Sequence, residues 1–359
     1  MIMDASRLHG CRVLLTGHTG FKGGWLACWL ARLGAQVTGV ALPAEARLGF
    51  WHATDLGDIV DSRIADIRDR AALRDALAGV DAELVIHMAA QPLVRASYEH
   101  PVETFATNVM GTAHVLEEAR RMPSLKAVVV VTSDKCYDNR EWVWGYRECD
   151  PMGGKDPYSA SKGCTELLAA SWRHAFFSDP AGPRLATVRA GNVIGGGDWS
   201  ADRLIPDFVR SAQTCSPMRI RNPRAIRPWQ HVLEPLAGYL TLATRLLAPD
   251  GAELAEGWNF GPDPGGVATV GTVCTRLAER WPESQRPELI LSQGNSNRPE
   301  AEILRLDSTK AATRLDWRPR LDLDRTLALT ADWYVGQARG ADMRRLSEEQ
   351  IETYERLAA

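Results

Sequence analysis

The sequence predicts an α/β fold built on a doubly wound parallel sheet, followed by a smaller C-terminal lobe. Short apolar runs alternate with helical segments through the first half of the chain. The run Val128–Val131 is apolar at every position, as expected for a parallel strand that is buried on both faces. A glycine-rich turn joins the first strand to the first helix. These features together are typical of a Rossmann-type domain.

The apolar pattern predicts each element of this domain in turn. Strands are expected at 13–16, 36–41, 59–65, 84–88, 127–132 and 185–189, and helices near 24–33, 69–78, 101–122 and 157–176. From about Asn192 the alternation breaks down, because glycine, tryptophan and arginine-proline segments become frequent. We therefore expect one domain over 1–191 and a smaller lobe beyond it.

Composition limits the classes of function. A chain of 359 residues with 45% hydrophobic content can bury one large core with a smaller one attached. The net charge of −3 does not favour a nucleic-acid or acidic-membrane partner. The start of the chain has no signal-like apolar stretch, and no run is long enough to span a bilayer, so we expect a cytoplasmic location. The seven cysteines form no C-x-x-C pair, so neither a disulfide framework nor a metal site is predicted.

The glycine-rich turn has the spacing G-x-x-G-x-x-G. Glycines allow the backbone to approach a diphosphate, which is stabilised by the free N–H groups at a helix start. A tight turn without ligand is the alternative interpretation. Because the turn follows the first strand directly, we favour a dinucleotide site, with candidate contacts at Gly17, Thr19, Gly20, Phe21 and Gly23.

A tyrosine and a lysine lie one helical turn apart in the segment 156–162. Asp156 can cap a helix that begins at Pro157, and Tyr158 and Lys162 then project from the same face. A tyrosine, with an ordinary pKa near ~10, becomes a useful base only beside positive charge. Lys162 and an oxidised nicotinamide would supply that charge. A surface pair at helical spacing is the alternative.

The glycine turn and the Tyr-x-x-x-Lys pair resemble the extended short-chain dehydrogenase/reductase family. Three further segments, 131–137, 189–199 and 220–232, look like those of the CDP-glucose 4,6-dehydratases within that family. The resemblance runs from about Cys11 to Tyr334. It implies that 231–262 returns to the main sheet, which leaves 192–230 and 263–359 as the nucleotide-sugar-binding lobe.

The resemblance also implies NAD as the cofactor. No acidic residue ends the strand 36–41, so the choice of NAD over NADP rests on the resemblance. The candidate contacts beyond the glycine turn are Asp66 and Ile67 after the third strand, Ala89, Ala90 and Gln91 after the fourth, Asn108, Tyr158 and Lys162. A solvated loop aspartate is the alternative for Asp66, and an exposed or helix-bending asparagine is the alternative for Asn108.

In the chemistry that the resemblance implies, Tyr158 takes the proton of the sugar C4 hydroxyl while a hydride moves to NAD, and Ser133 hydrogen-bonds the same oxygen. Water is then lost across C5 and C6, and the hydride returns to C6. Asp134 and Lys135 are the candidate acid and base of the elimination. A mutually neutralising pair is the alternative. In the related dTDP-glucose branch a glutamate occupies the second position, so Lys135 indicates the CDP-glucose branch.

The implied substrate is CDP-glucose, and the implied assembly is a homodimer or homotetramer. The candidate substrate contacts are Asn192, Arg203, Arg227 and Arg298. An arginine-rich exposed face is the alternative for some of these cations. Two other functions stay open at this point: an epimerase or dehydratase acting on another nucleotide sugar, and a non-catalytic NAD-binding regulatory protein.

Overall fold

Seven parallel strands form the central sheet, as the alternating apolar runs predict. The computed structural model describes residues 4–220, 222–262, 267–291 and 304–357. The order across the sheet is β10-β6-β5-β4-β1-β2-β3. Its strands are β1 (Arg12–Thr16), β2 (Gln36–Ala41), β3 (Asp61–Ile64), β4 (Leu84–His87), β5 (Ala127–Val131), β6 (Arg184–Ala190) and β10 (Gly257–Phe260).

Two small sheets lie outside the central one. The first has the order β11-β9-β7 and the second pairs β12 with β8. Their strands are β7 (Asn192–Ile194), β8 (Met218–Ile220), β9 (Ile226–His231), β11 (Val267–Thr269) and β12 (Leu289–Leu291). These strands come from the region in which the regular alternation of the sequence breaks down.

Helices connect the strands and cover both faces of the central sheet. They are α1 (Phe21–Arg32), α2 (Phe50–Ala53), α3 (Arg70–Ala76), α4 (Val94–Glu99), α5 (Pro101–Phe105), α6 (Thr112–Ala119), α7 (Pro157–Phe176), α8 (Leu204–Gln213), α9 (Leu233–Leu246), α10 (Val270–Glu279), α11 (Thr309–Arg314), α12 (Leu323–Ala338) and α13 (Met343–Arg356). Within the described ranges, none of them is long and apolar enough to cross a membrane.

The sheet is buried on both faces because its strand residues alternate between two cores. Val13 and Leu15 join the cluster formed with α1, whereas Leu14 joins the cluster on the opposite face. All three side chains are inaccessible or nearly so. This double burial explains why Val128–Val131 is apolar without alternation.

The predicted boundaries differ from the structure at three places. α1 begins at Phe21 rather than near 24, directly after Gly20, so the last glycine of the motif, Gly23, lies within the helix. β3 is shorter than predicted and largely exposed, since it is the edge strand. The expected helix over 101–122 ends at Ala119 and contains a π-helical segment, Ala106–Gly111.

Candidate functional site

The order in which the strands are added to the sheet reverses between β1 and β4. β2 and β3 extend the sheet on one side of β1, and β4, β5, β6 and β10 extend it on the other. Thr16 and His87, the last residues of β1 and β4, are register partners and are joined by a hydrogen bond of 2.7 Å between Oγ1 and Nδ1. Ligands of open α/β sheets bind at the carboxyl ends of the strands at such a point.

The glycine turn lies at this point and is tightly closed. Gly17 has a positive φ of 79°, and a Cβ added there would lie 2.8 Å from the backbone nitrogen of Ala89. A Cβ on Gly23 would lie 2.0 Å from the carbonyl oxygen of Gly17. Gly20 is the N-cap of α1, and no side chain accepts from the first N–H groups of this helix. The turn therefore offers free N–H groups to an anion.

Two other candidates fix this turn in place. The Thr19 hydroxyl donates to the Leu42 carbonyl oxygen at 2.9 Å, which ties the turn to the end of β2. The ring of Phe21 lies beside Gly195, where an added Cβ would be 3.4 Å from it. Thr19 and Phe21 thus join the turn to the segments that border it.

The loop after β4 is held by a buried asparagine. Asn108 is 1% exposed; its Oδ1 accepts from the Gln91 backbone N–H at 2.8 Å, and its Nδ2 donates to Ser161 Oγ at 2.9 Å. The alternative interpretation of Asn108 as an exposed asparagine is therefore excluded. Ala89 and Ala90 lie between β4 and this anchor, and the Thr16 hydroxyl accepts from the Ala89 backbone N–H at 3.1 Å.

Asp66 and Ile67 follow β3 at the far side of the sheet. Asp66 forms an ion pair with Arg68 at 2.6 Å, and this arginine, although burial opposes it, holds the carboxyl pKa below its ordinary value. The Ile67 side chain packs against Gly111, and its carbonyl oxygen is 2.9 Å from His114 Nδ1. A ligand that used the Asp66 carboxylate would share it with Arg68.

The candidate acid and base follow β5 in a short turn. Ser133 caps this turn by accepting from the Lys135 backbone N–H at 3.2 Å, and its hydroxyl donates to Asp134 Oδ1 at 3.0 Å. Asp134 is buried against Gly191. Burial raises the pKa of Asp134, with the positive charges of Lys135 and Arg227 opposing the rise. The carboxyl is therefore biased toward its protonated form.

α7 brings the tyrosine and the lysine to the same place. Asp156 accepts from the Ser159 N–H and caps the helix as predicted. Burial raises the pKa of Tyr158 to about 12, and a hydrogen bond with Ser133 opposes this rise. Burial lowers the pKa of Lys162 to about 8, and its Nζ donates to the Val131 carbonyl oxygen at 3.4 Å. The phenol is therefore neutral at pH 7 until further positive charge arrives.

A buried ion pair that the sequence analysis did not identify lies behind this turn. Glu166, one helical turn beyond Lys162, is 2.8 Å from Arg189 of β6, and both side chains are about 5% exposed. Glu166 also accepts from the hydroxyls of Thr132 and Thr187. The continuation of the Tyr-x-x-x-Lys spacing by a further carboxylate four residues later is the sequence signal that could have revealed it.

Three of the four candidate substrate contacts lie near Asp134 or Tyr158. Asn192 begins β7, directly after Gly191, which packs against Asp134. Arg203 pairs with Asp198 at 3.0 Å, and its charge also acts on Tyr158. The charge of Arg227 acts on Asp134. Arg298 lies outside the described residues.

Comparison with known proteins identifies the family of the chain. Residues 14–330 match the family model described as GDP-mannose 4,6 dehydratase. The chain is 50% identical over 98% of both chains to the CDP-glucose 4,6-dehydratase of Salmonella typhimurium.

Solved structures support the same fold. Epimerase Mth375 of Methanothermobacter thermautotrophicus has a TM-score of 0.81 at 22% identity, covering 96% of this chain and 98% of that one. The NAD complex of dTDP-glucose 4,6-dehydratase from Bacillus anthracis has a TM-score of 0.73 at 18% identity, covering 93% and 99%. The match to the family model covers most of the chain, and the chain belongs to the GDP-mannose 4,6-dehydratase family.

Proposed function

We propose that the protein is an NAD-dependent hydro-lyase that converts CDP-glucose to CDP-4-keto-6-deoxyglucose and water. The observation that carries the proposal is the grouping of Ser133, Asp134 and Lys135 with Tyr158 at the carboxyl ends of the strands, in a chain that is 50% identical to a CDP-glucose 4,6-dehydratase. An epimerase would need the tyrosine and the serine but not the elimination pair.

The glycine turn supports NAD as the cofactor. Its free N–H groups and the close packing of Gly17 and Gly23 suit the diphosphate of a dinucleotide. Ala89, Ala90 and Gln91 would border the same ligand. When bound, NAD would accept a hydride from the sugar and return it.

In the first step, Tyr158 would remove the proton of the sugar C4 hydroxyl. Burial raises the pKa of the phenol to about 12, so it becomes a base only when positive charge is added near it. Ser133 would hydrogen-bond the same sugar oxygen while its hydroxyl remains close to the phenol. The charge of Lys162, on the same helix, would favour the phenolate.

In the elimination, Asp134 would protonate the departing C6 hydroxyl and Lys135 would remove the C5 proton. Burial raises the pKa of Asp134, which favours the protonated carboxyl that an acid needs. Replacing Lys135 with Ala should abolish loss of water and leave binding of CDP-glucose within a few-fold of the wild type. Dehydration at the wild-type rate would contradict the role of Lys135.

We propose further that 1–191 with 231–262 forms the cofactor domain, and that 192–230 and 263–359 form the substrate lobe. The pairing of β10 with β6 supports the first part. The product would feed the synthesis of deoxysugars for surface polysaccharide, and the enzyme would work in the cytoplasm.

A homodimer is the assembly that the surface favours. Val102, Met110 and Leu167 are 79%, 53% and 63% exposed on the helical segments 101–119 and 157–176. Leu167→Glu should convert the dimer to a monomer, because a charge in an apolar interface would be desolvated. Light scattering during gel filtration measures the mass, with the equally exposed Leu291→Glu as control. An unchanged mass for Leu167→Glu would place the interface elsewhere.

The reaction itself is tested with the purified protein, with and without added NAD. CDP-glucose and dTDP-glucose are incubated separately, and the mass of the nucleotide sugar is followed for loss of one water. Loss of water from CDP-glucose alone would support both the dehydration reaction and the selectivity for the cytidine nucleotide. Turnover without added NAD would show that the cofactor is retained. No loss with either sugar, despite bound NAD, would contradict the proposal.

A further inference from the structure

Lys22 lies at the start of α1, directly before the buried part of that helix. It is the second residue of α1, and Gly23, Gly24 and Trp25, which follow it, are buried. Its Nζ donates to the hydroxyl of Tyr239 at 2.9 Å and lies 5.0 Å from the centroid of that ring. Tyr239 belongs to α9 and is fully buried. The ammonium is thus held between the glycine turn and the centre of the molecule.

The basic neighbours of Lys22 outnumber its acidic ones. Burial, together with the charges of Lys162 and Arg203, lowers its pKa to about 7, and the charge of Asp134 opposes this fall. Within the described ranges Lys22 has no salt bridge, and its hydrogen-bond partner is a neutral phenol. An ammonium in these surroundings is costly to the folded protein unless an anion reaches it.

We propose that Lys22 binds the diphosphate of a ligand of this site. The proposal rests on the proposed function, in which the protein binds two ligands that carry a diphosphate, the dinucleotide and the sugar nucleotide. Lys22 comes two residues after Gly20, whose helix start offers free N–H groups. Together with Lys162 and Arg203 it forms a group of cations that a diphosphate would neutralise.

Binding experiments with Lys22→Met test this role without turnover. The variant keeps the length of the side chain and removes its charge. We expect its affinity for NAD or for CDP, measured by calorimetry, to fall about tenfold, the usual scale for one charge-assisted contact. Affinity for adenosine and cytidine, which have no phosphate, should be unchanged. The ligand that loses affinity identifies the source of the diphosphate.

Lys310→Met is the matched control. Its Nζ is paired with Glu256 at 2.7 Å, away from the glycine turn, so both affinities should be kept. If Lys22→Met does not fold, Lys22→Gln tests the same loss of charge and preserves a donor for Tyr239. Wild-type affinity for both NAD and CDP would overturn the proposal, as would an equal loss for the nucleosides. A protein that binds as expected but releases no water would instead contradict the proposed function.

Discussion

At the scale of single residues, burial and neighbouring charge give four buried groups at the carboxyl ends of the strands different protonation behaviour. Burial raises the pKa of Tyr158 to about 12 and that of Asp134 above its ordinary range, and it lowers the pKa of Lys162 to about 8. Burial also lowers the pKa of His87 to about 3, so its imidazole is neutral and serves to join Thr16 to Thr112. Such opposite shifts are what acid and base roles at one site require.

The buried ion pair of Glu166 and Arg189 acts on the protonation of Lys162. Although burial opposes it, Arg189 holds the pKa of Glu166 below its ordinary value, so the pair is ionised. The Glu166 carboxylate in turn opposes the fall in the pKa of Lys162 that burial causes. We therefore expect Glu166 to act as a positioning residue, through its effect on the pKa of Lys162.

Glu166→Gln is expected to have two effects. It leaves the Arg189 charge buried without its partner, which should lower the free energy of unfolding by about 3–5 kcal/mol. It also removes the charge that raises the pKa of Lys162, so the alkaline limb of the kcat/KM profile should move to lower pH. Urea denaturation and the pH profile measure the two effects.

Glu118→Gln is the control for this variant. Glu118 is buried too, but the side chain of Arg70, which pairs with it at 3.4 Å, is 42% exposed. The free energy of unfolding should therefore fall by less than about 1 kcal/mol. An unchanged alkaline limb in Glu166→Gln would mean that Glu166 acts on stability alone.

At the scale of elements, local signals located some boundaries and distant contacts set others. The helix 157–176 was predicted to the residue, because its cap at Asp156 and its Pro157 are local features. The π-helical segment around Asn108 was not predicted, since the partners of that side chain lie in the loop after β4 and in α7. The role of Lys22 was missed for the same reason: its partner Tyr239 is 217 residues away in the sequence.

Asn108→Ala should loosen the loop after β4. The variant leaves the Gln91 N–H without its acceptor in a buried place, which costs about 1–3 kcal/mol. Urea denaturation measures this loss, and the NAD content of the purified variant should fall as well. Arg121→Ala, which removes an exposed ion pair with Glu117, should cost less than about 1 kcal/mol. Equal stability of the two variants would contradict the anchoring role.

At the scale of the whole molecule, the sequence predicted the strands of the central sheet more completely than those of the C-terminal lobe. The central strands could be predicted because burial on both faces produces continuous apolar runs, as in β5. The short strands β7, β8, β11 and β12 have three residues each, and so leave almost no periodicity to detect. Of the candidate site residues, those next to strand ends were easiest to identify.

Three buried histidines should make the whole molecule sensitive to acid. Burial lowers the pKa of His18 to about 4 and those of His87 and His231 to about 3. Above about pH 6.5 they are neutral in both states and have no effect. Below it the unfolded chain binds protons that the folded chain does not, so each histidine lowers the free energy of unfolding by up to about 1.4 kcal/mol per pH unit.

Urea denaturation between pH 7.5 and 5 measures this dependence. His231→Gln should flatten the slope, whereas the exposed His52→Gln should keep it. A His231→Gln slope equal to that of the wild type would contradict the contribution of His231.

The last described helix supports the first one. Trp29 of α1 donates from Nε1 to Glu355 Oε1 of α13 at 2.9 Å, and Arg32 pairs with Glu352 at 2.9 Å. On the ribosome, roughly 300 residues separate the emergence of these two helices, which corresponds to roughly 15–60 s at about 5–20 residues per second. During that interval the Trp29 face of α1 lacks the cover that α13 provides. The nascent chain therefore presents an apolar surface to chaperones, and the helix that begins at the glycine turn gains its outer support only late in translation.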